Sequence, residues 1–413
     1  MEVRFVKIVV ADNVWILVAT ALVFLMSIPG LALFYGGLTR TKNVLNTIMM
    51  VFTAFAVVSL IWIFYGYSLT FGSDVGGIIG SLQYFFLSGI SVKDAAPASD
   101  NLYHYLFIFF QMTFAAITVA LMVGAFIERM KFTAWILISI LWGTFVYFPV
   151  AHWIWGGGWL SNIGTLDFAG GLVVHETSGL GALVGALLLG RRKEPIMMPS
   201  NLAIVALGTG LLWFGWFGFN GGSALGLTPV AISAAFGSTL AALTGGLTWM
   251  IAEWIFFKRP TSLGFFTGVI AGLATITPAS GFVDLGASII IGFLGGLVCF
   301  WAVVYVKNKF KYDDSLDVFG VHGVGGMLGA FLIAIFAKPE IGDAAGLIFG
   351  GVSLFVPQII GILAVGIYSI IVSFIIFKVV DLIVGLRVEK DEELEGLDEV
   401  IHGEKVVNEL MKY

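Results

Sequence analysis

The chain has 413 residues, of which 59% are hydrophobic and only 11% charged. Soluble domains carry roughly 25% charged residues, so a soluble fold is excluded. The net charge of −5 is local: from Glu389 onward nine acidic and three basic residues give −6, which leaves the rest near +1. No basic face points to nucleic acid.

MEVRFVKIVVADN at the start has no long apolar core and reads as a short extramembrane segment, not a signal peptide. Apolar stretches of about 20 residues, enough to cross a bilayer, then follow in order. Five run near 13–36, 44–68, 102–127, 132–152 and 168–190, and five more near 202–220, 230–257, 262–278, 284–306 and 318–337. A long eleventh covers about 346–385. The runs are continuously apolar rather than alternating, so the expectation is an all-α membrane protein with eleven transmembrane helices, not a β-barrel. Residues 1–386 form the transmembrane domain and 387–413 an acidic cytoplasmic tail. Fifty-three glycines against ten prolines suit close helix packing. The single Cys299 lies in an apolar run and supports neither a disulfide nor a metal site; no metal or cofactor is expected.

Eleven spans put the termini on opposite sides. Seventeen of the 21 Lys/Arg fall on one side, and Arg4, Lys7, Lys93 and Lys338 on the other. The richer side is therefore cytoplasmic, with the N-terminus outside and the C-terminus inside.

Five spans, five spans and one extra suggest an inverted repeat, spans 1–5 against 6–10. The first span ends LFYGGL and the sixth WFGFNGGS; the fifth and tenth carry His175 (DFAGGLVVH) and His322 (DVFGVH), each before a run of glycines. An ionisable side chain inside a membrane normally faces a protein interior or a water-filled path. A two-fold axis in the membrane plane would bring both histidines to the midplane, facing each other, with one ring donating and the other accepting. That neutral polar stripe suits a small uncharged solute better than a hydrated cation. At the outer mouth the same topology gathers Phe110 and Phe114 from the third span, Trp155 and Asp167 from the loop after the fourth, and Phe219 and Ser223 from the end of the sixth. Aromatic faces attract a small cation by roughly 0.5–2 kcal/mol per contact, and Asp167 stands at a natural N-cap position.

The stretches AHWIWGGGWL, DFAGGLVVH, WFGFNGGSA and DVFGVHGVGG, with IPGLALFYGGLTRTKNVLN and QMTFAAITVALMVGAFIER, resemble the ammonium transporter (Amt/Mep/Rh) family, on its Amt branch, in collinear order over nearly the whole chain. The resemblance implies a plasma-membrane homotrimer with one pore per subunit. It further implies ammonium recruitment at the positions of Phe114, Trp155 and Ser223, a gate at Phe114 and Phe219, and ammonia conduction past His175 and His322. The aspartate matching Asp167 is implied in transport or site architecture. The family's tail and inner loops bind a P-II-class nitrogen regulatory protein, with the tail docked on a neighbouring subunit. Ammonium deprotonated outside, with neutral ammonia conducted and the proton either following through the histidines or returning outside, is the mechanism that fits both readings. A Rhesus-type gas channel and an ammonium sensor without flux stay open; an enzyme is not expected. One departure is Glu176, directly after His175, where an aliphatic residue is expected. On a helix it points about 100° away from the histidine, towards a neighbouring helix or the subunit interface.

Overall fold

The computed structural model describes residues 9–196 and 198–406. The basic residues Arg4, Lys7 and Lys412, used above for orientation, lie outside that range. Among the described residues, ten helices are long and apolar enough to span a membrane. They are α1 (Val10–Leu38), α2 (Thr41–Phe71), α3 (His104–Phe126), α4 (Phe132–Asn162), α5 (Gly171–Leu189), α6 (Leu202–Gly222), α7 (Pro229–Phe257), α9 (Leu285–Phe310), α10 (Phe319–Phe336) and α11 (Phe355–Val384). Between α7 and α9 lies the shorter apolar helix α8 (Ser262–Ile276). It occupies the place of the expected eighth span. Its non-helical continuation through Thr277 and Ala279 is buried in protein, where irregular backbone is tolerated at membrane depth.

The starts follow from local chemistry. Asn201, Thr228, Thr261 and Asp284 cap α6, α7, α8 and α9 with side-chain oxygens that accept the first free N–H groups. Pro29, which has no N–H to donate, lies in a wide turn of α1 from Met26 to Leu31 where Ile28 leaves helical geometry.

Two expectations shift. The last span begins at Phe355 rather than near 346, because the apolar stretch before it is broken by a turn ending at Gly350, with φ +81°. The fourth helical stretch reaches Asn162, so Trp155 ends a helical segment (Phe148–Trp155) instead of sitting in a loop. The α2–α3 connection also carries two short antiparallel ribbons, β1 (Asp74–Val75) with β2 (Ile79–Gly80) and β3 (Ala95–Ala96) with β4 (Ser99–Tyr103).

The packing of the two halves corresponds. α2 lies on α3 and α4 as α7 lies on α8 and α9, and α1 crosses to α6. α5 and α10 meet at the centre, each through its first turns. At their crossing, a Cβ on Gly179 would fall 2.3 Å from the Gly323 backbone, and one on Gly326 would fall 2.4 Å from the Gly171 carbonyl oxygen. Each of these glycines stands four residues after its histidine, so the crossing requires glycine at both.

One end of the bundle is tied by ions. Glu128 meets Arg192 at 3.2 Å and Arg40 at 3.6 Å, Arg192 meets Asp313 at 3.0 Å, and Arg40 meets Glu194 at 2.7 Å. The tail closes over this end as α12 (Lys390–Glu395) and α13 (Leu397–His402). The Asp398 carboxylate accepts the Leu45 and Asn46 N–H groups at 3.1 and 2.8 Å, capping the start of α2. Glu393 binds Arg387 at 2.7 Å and the Lys193 N–H at 2.6 Å. The tail thus docks on loops of its own chain, because the free N–H groups opening α2 lie directly beneath Asp398.

Candidate functional site

Asp167 sets the geometry of the His175 side. Its two carboxylate oxygens accept four N–H groups opening α5, from Gly170 (2.9 Å), Gly171 (2.7 Å), Leu172 (2.8 Å) and Val173 (3.0 Å). Gly170 has φ +113°, a conformation open to glycine and costly for side-chain-bearing residues. The chain folds tightly under the carboxylate, and the wide turn Gly171–Glu176 delivers His175 into the centre.

His322 arrives by the corresponding route. The wide turn Phe319–Gly323 opens α10, and Asp314 accepts the Phe319 N–H at 2.7 Å. Matching DFAGG with DVFG by eye pairs Asp167 with Asp317. In the structure the partner of Asp167 is Asp314, eight residues before its histidine as Asp167 is before His175; Asp317 instead binds Lys307 at 2.6 Å. Sequence reasoning missed Asp314, and its spacing to the histidine was the available signal.

The two imidazoles face each other with Nδ1 atoms 3.2 Å apart, ring centroids 5.1 Å apart and planes 26° off parallel. Both are buried. His175 also stacks on Trp216 at 5.6 Å and lies 6.0 Å from Phe219. Trp216, which sequence reasoning did not single out, is held by a 2.9 Å bond from its indole N–H to the Thr277 hydroxyl. The His175 Nε2 has no hydrogen-bond partner among the described residues.

The predicted outer residues converge. Phe114 lies against Phe219 at 4.4 Å with the rings tilted by 32°, meets Phe110 edge-on at 4.9 Å and stands perpendicular to Trp155 at 6.1 Å. The Trp155 indole donates to the Asp167 carbonyl at 2.8 Å, which couples the aromatic cluster to the start of α5. Ser223 lies one turn beyond Phe219, and its hydroxyl bonds back to the Phe219 carbonyl at 2.8 Å.

Beyond the Phe114–Phe219 pair, a cavity of about 10 Å³ is bounded by His175, His322, Trp216, Phe219, Leu212 and Ile270. That is close to the least space that holds one water-sized molecule. His322 also lines a second cavity of about 170 Å³, with Tyr35, Trp249, Glu253 and Asp317. A pair of phenyl rings, a one-molecule constriction with two facing imidazoles, and a wider chamber therefore follow in sequence. Such a path can pass a small neutral solute one molecule at a time. A cation stripped of water there would lose many kcal/mol with no charge to replace it.

Glu176 does not join this path. It is fully buried against α11, where a Cβ on Gly366 would lie 2.9 Å from its Oε1, and neither oxygen has a hydrogen-bond partner among the described residues. Of the two directions open to it, the structure selects the neighbouring helix. No group of three or more His, Cys, Asp or Glu side chains suited to a metal occurs among the described residues.

A many-helix membrane protein with one narrow path between the two halves of its repeat defines a transporter or channel. The profile of the Ammonium Transporter Family matches residues 14–407. The chain is 52% identical to an ammonium transporter of Aquifex aeolicus over 97% of this chain and 94% of that protein. The crystal structure of Saccharomyces cerevisiae Mep2 superposes with TM-score 0.88 at 38% identity, over 94% of this chain and 90% of that one. A structure titled Sensor Amt Protein superposes with TM-score 0.87 at 29% identity, over 95% of this chain and 98% of that one. The chain belongs to the ammonium transporter family. It is a multi-pass membrane transporter of ammonium, not an enzyme.

Proposed function

We propose that ammonium is recruited at the outer mouth by Phe110, Phe114, Trp155 and Ser223, gives up a proton there, and passes as ammonia through the Phe114–Phe219 gate and the His175–His322 stripe, the released proton following along the facing imidazoles so that the net charge of ammonium crosses. The constriction carries this reading: about 10 Å³ of space lined by two facing imidazoles and apolar side chains suits ammonia and gives no charge to offset a bare cation. Cation–π attraction of about 0.5–2 kcal/mol per ring supplies the recruitment. Asp167 acts from behind, fixing the turn that holds His175 and, through its carbonyl, the Trp155 indole. Potassium has no proton to lose, so selectivity needs no size filter.

The basic, ion-tied end faces the cytoplasm of the cell membrane, by the same charge asymmetry that places the C-terminus inside. The assembly is a homotrimer, and a P-II-class nitrogen regulatory protein engages the inner loops and the docked tail. Residues 1–386 are the transport domain and the acidic tail from 387 its regulatory element.

Transport currents on proteoliposomes test the core of this. His175→Ala combined with His322→Ala is expected to abolish selective ammonium current or to admit potassium. Unchanged flux and selectivity in that double variant would remove the histidines from the mechanism. The kinship with a protein titled a sensor favours a second reading, a receptor without flux, which saturable ammonium binding with no current would select.

A further inference from the structure

A cavity of about 450 Å³ opens at the ion-tied end, between the loop after α5 and the end of α9. Its walls carry Arg191, Arg192, Lys307 and Lys311 against one carboxylate, Asp313, with Ser315 and Tyr312 as neutral polar groups. That carboxylate is consumed. Both Asp313 oxygens are held by Arg192, through Nε at 3.0 Å, the second guanidinium nitrogen at 3.0 Å and the backbone N–H at 2.8 Å. Behind this pair the buried Arg129 guanidinium donates to the Asp313 carbonyl at 2.6 Å and the Ser315 hydroxyl at 2.9 Å. Arg192 is paired with Glu128 at 3.2 Å as well, and Lys307 with Asp317 at 2.6 Å, so the floor is rigid and its charges are matched.

Arg191 and Lys311 differ from the rest. Both are exposed at the cavity, and neither side chain has a hydrogen-bond or ion-pair partner among the described residues. Lys311 is held at φ +56°, where it ends α9 by bonding back to the Lys307 carbonyl. Two free cations thus stand over a fixed floor whose own charges are already matched, and no carboxylate among the described residues pairs with either of the two. Guanidinium forks and ammonium groups in such a setting match phosphate oxygens. The volume falls in the range of small-molecule pockets.

We infer that this cavity binds a phosphate-bearing anion, either the headgroup of an anionic phospholipid or a soluble phosphate ester. A cationic substrate is repelled from it, and among its lining residues none lines the cavities at His175 and His322.

The test uses the full-length protein in nanodiscs of zwitterionic phosphatidylcholine, titrated with pyrophosphate at low salt in a calorimeter. Saturable binding is expected, weakened at least about tenfold in Arg191→Ala/Lys311→Ala, since each charge-assisted bond lost accounts for about that much. The control Lys258→Ala/Arg259→Ala removes two exposed cations outside the cavity and is expected to bind like the wild type. Nanodiscs of phosphatidylglycerol separate the sources. If that lipid blocks pyrophosphate and is retained by the wild type but not the Arg191/Lys311 variant in native mass spectrometry, the headgroup is the ligand. If pyrophosphate binds equally in both discs, the ligand is soluble. The inference is overturned if neither pyrophosphate nor phosphatidylglycerol is held in a way that depends on Arg191 and Lys311, or if the control pair weakens binding as much. Ammonium current from the Arg191/Lys311 variant reports that it is folded.

Discussion

The two helices that meet at the centre, α5 and α10, share a skeleton and differ in how it is anchored. Each has an aspartate eight residues before its histidine, a wide first turn and a glycine four residues after the histidine. On α5 the aspartate closes four N–H bonds, and among the described residues no Lys or Arg pairs with it. On α10 Asp314 bonds the Phe319 N–H and leaves Oδ1 without a hydrogen-bond partner among the described residues, while the charges of Lys307 and Asp317 act on it. One half builds its turn from backbone alone, the other embeds the turn in an ion network. The repeat thus fixes the geometry that the histidines need and leaves the chemistry of each entrance free to differ.

The skeleton is the part most costly to disturb. Gly179→Val places side-chain atoms where a Cβ already lies 2.3 Å from backbone, and backbone cannot rotate away. The loss is expected to reach about 3 kcal/mol or more, seen as failure to recover folded protein. Gly210→Ala is the contrast, since nothing lies within 4 Å of the added carbon; it is expected to be neutral or to gain up to about 1 kcal/mol. Equal thermal midpoints for the two variants would contradict the account of the α5–α10 crossing.

The anchors come next. Asp167→Ala strands four buried donors and is expected to cost about 3 kcal/mol, whereas Asp314→Ala loses one strong bond and about 1 kcal/mol. Thermal midpoints of the purified variants measure the ratio. An Asp314 loss as large as that of Asp167 would mean that the ion network, not the N–H bond, carries the second anchor.

Glu176 breaks the correspondence in the opposite sense, because Gly323 takes the matching place after His322. A fully buried carboxyl with no partner is a cost to the fold. Glu176→Leu is therefore expected to raise stability by on the order of 1–2 kcal/mol, and Glu176→Gln by less, since its amide stays unbonded. A destabilised Glu176→Leu protein would show that the carboxyl has a partner in the assembled protein.

These contrasts also show where sequence reading reaches its limit. Span number, the paired histidines and the aromatic cluster were legible because hydropathy and residue type carry them directly. The start of α11 was not, since a turn at Gly350 interrupts an apolar stretch without changing its hydropathy. Asp314 was hidden because the eye matches letters, Asp-Phe-Gly with Asp-Val-Phe-Gly, while the fold conserves the distance from cap to histidine. Trp216 was hidden for a different reason: aromatic residues are common in membrane helices, and only the 5.6 Å stack on His175 distinguishes this one. The cap opposite Asp398 lies some 350 residues away in sequence on α2, a pairing no local pattern signals.

The smallest expected effect separates two adjacent aspartates at the entrance to α10. Burial raises the Asp314 carboxyl from 3.8 to about 6, with Lys307 opposing and Asp317 adding to the rise. The folded protein therefore holds this proton more tightly than the unfolded chain does, and stability from this group falls as pH climbs from about 4 to about 6. Asp313 is the reverse case. Burial would raise it, but the bonds to Arg192 and the charges of Arg129 and Arg192 outweigh burial and hold it below 3.8. Its contribution is present above 3.8 and disappears only as pH falls through its lower folded value. Asp314→Asn is thus expected to flatten the slope of thermal midpoint against pH between about 4 and about 6, and Asp313→Asn to leave that slope while lowering the whole curve. If Asp314→Asn leaves the slope intact, Lys307 dominates the site, and α10 is anchored by an ion pair where α5 is anchored by its backbone.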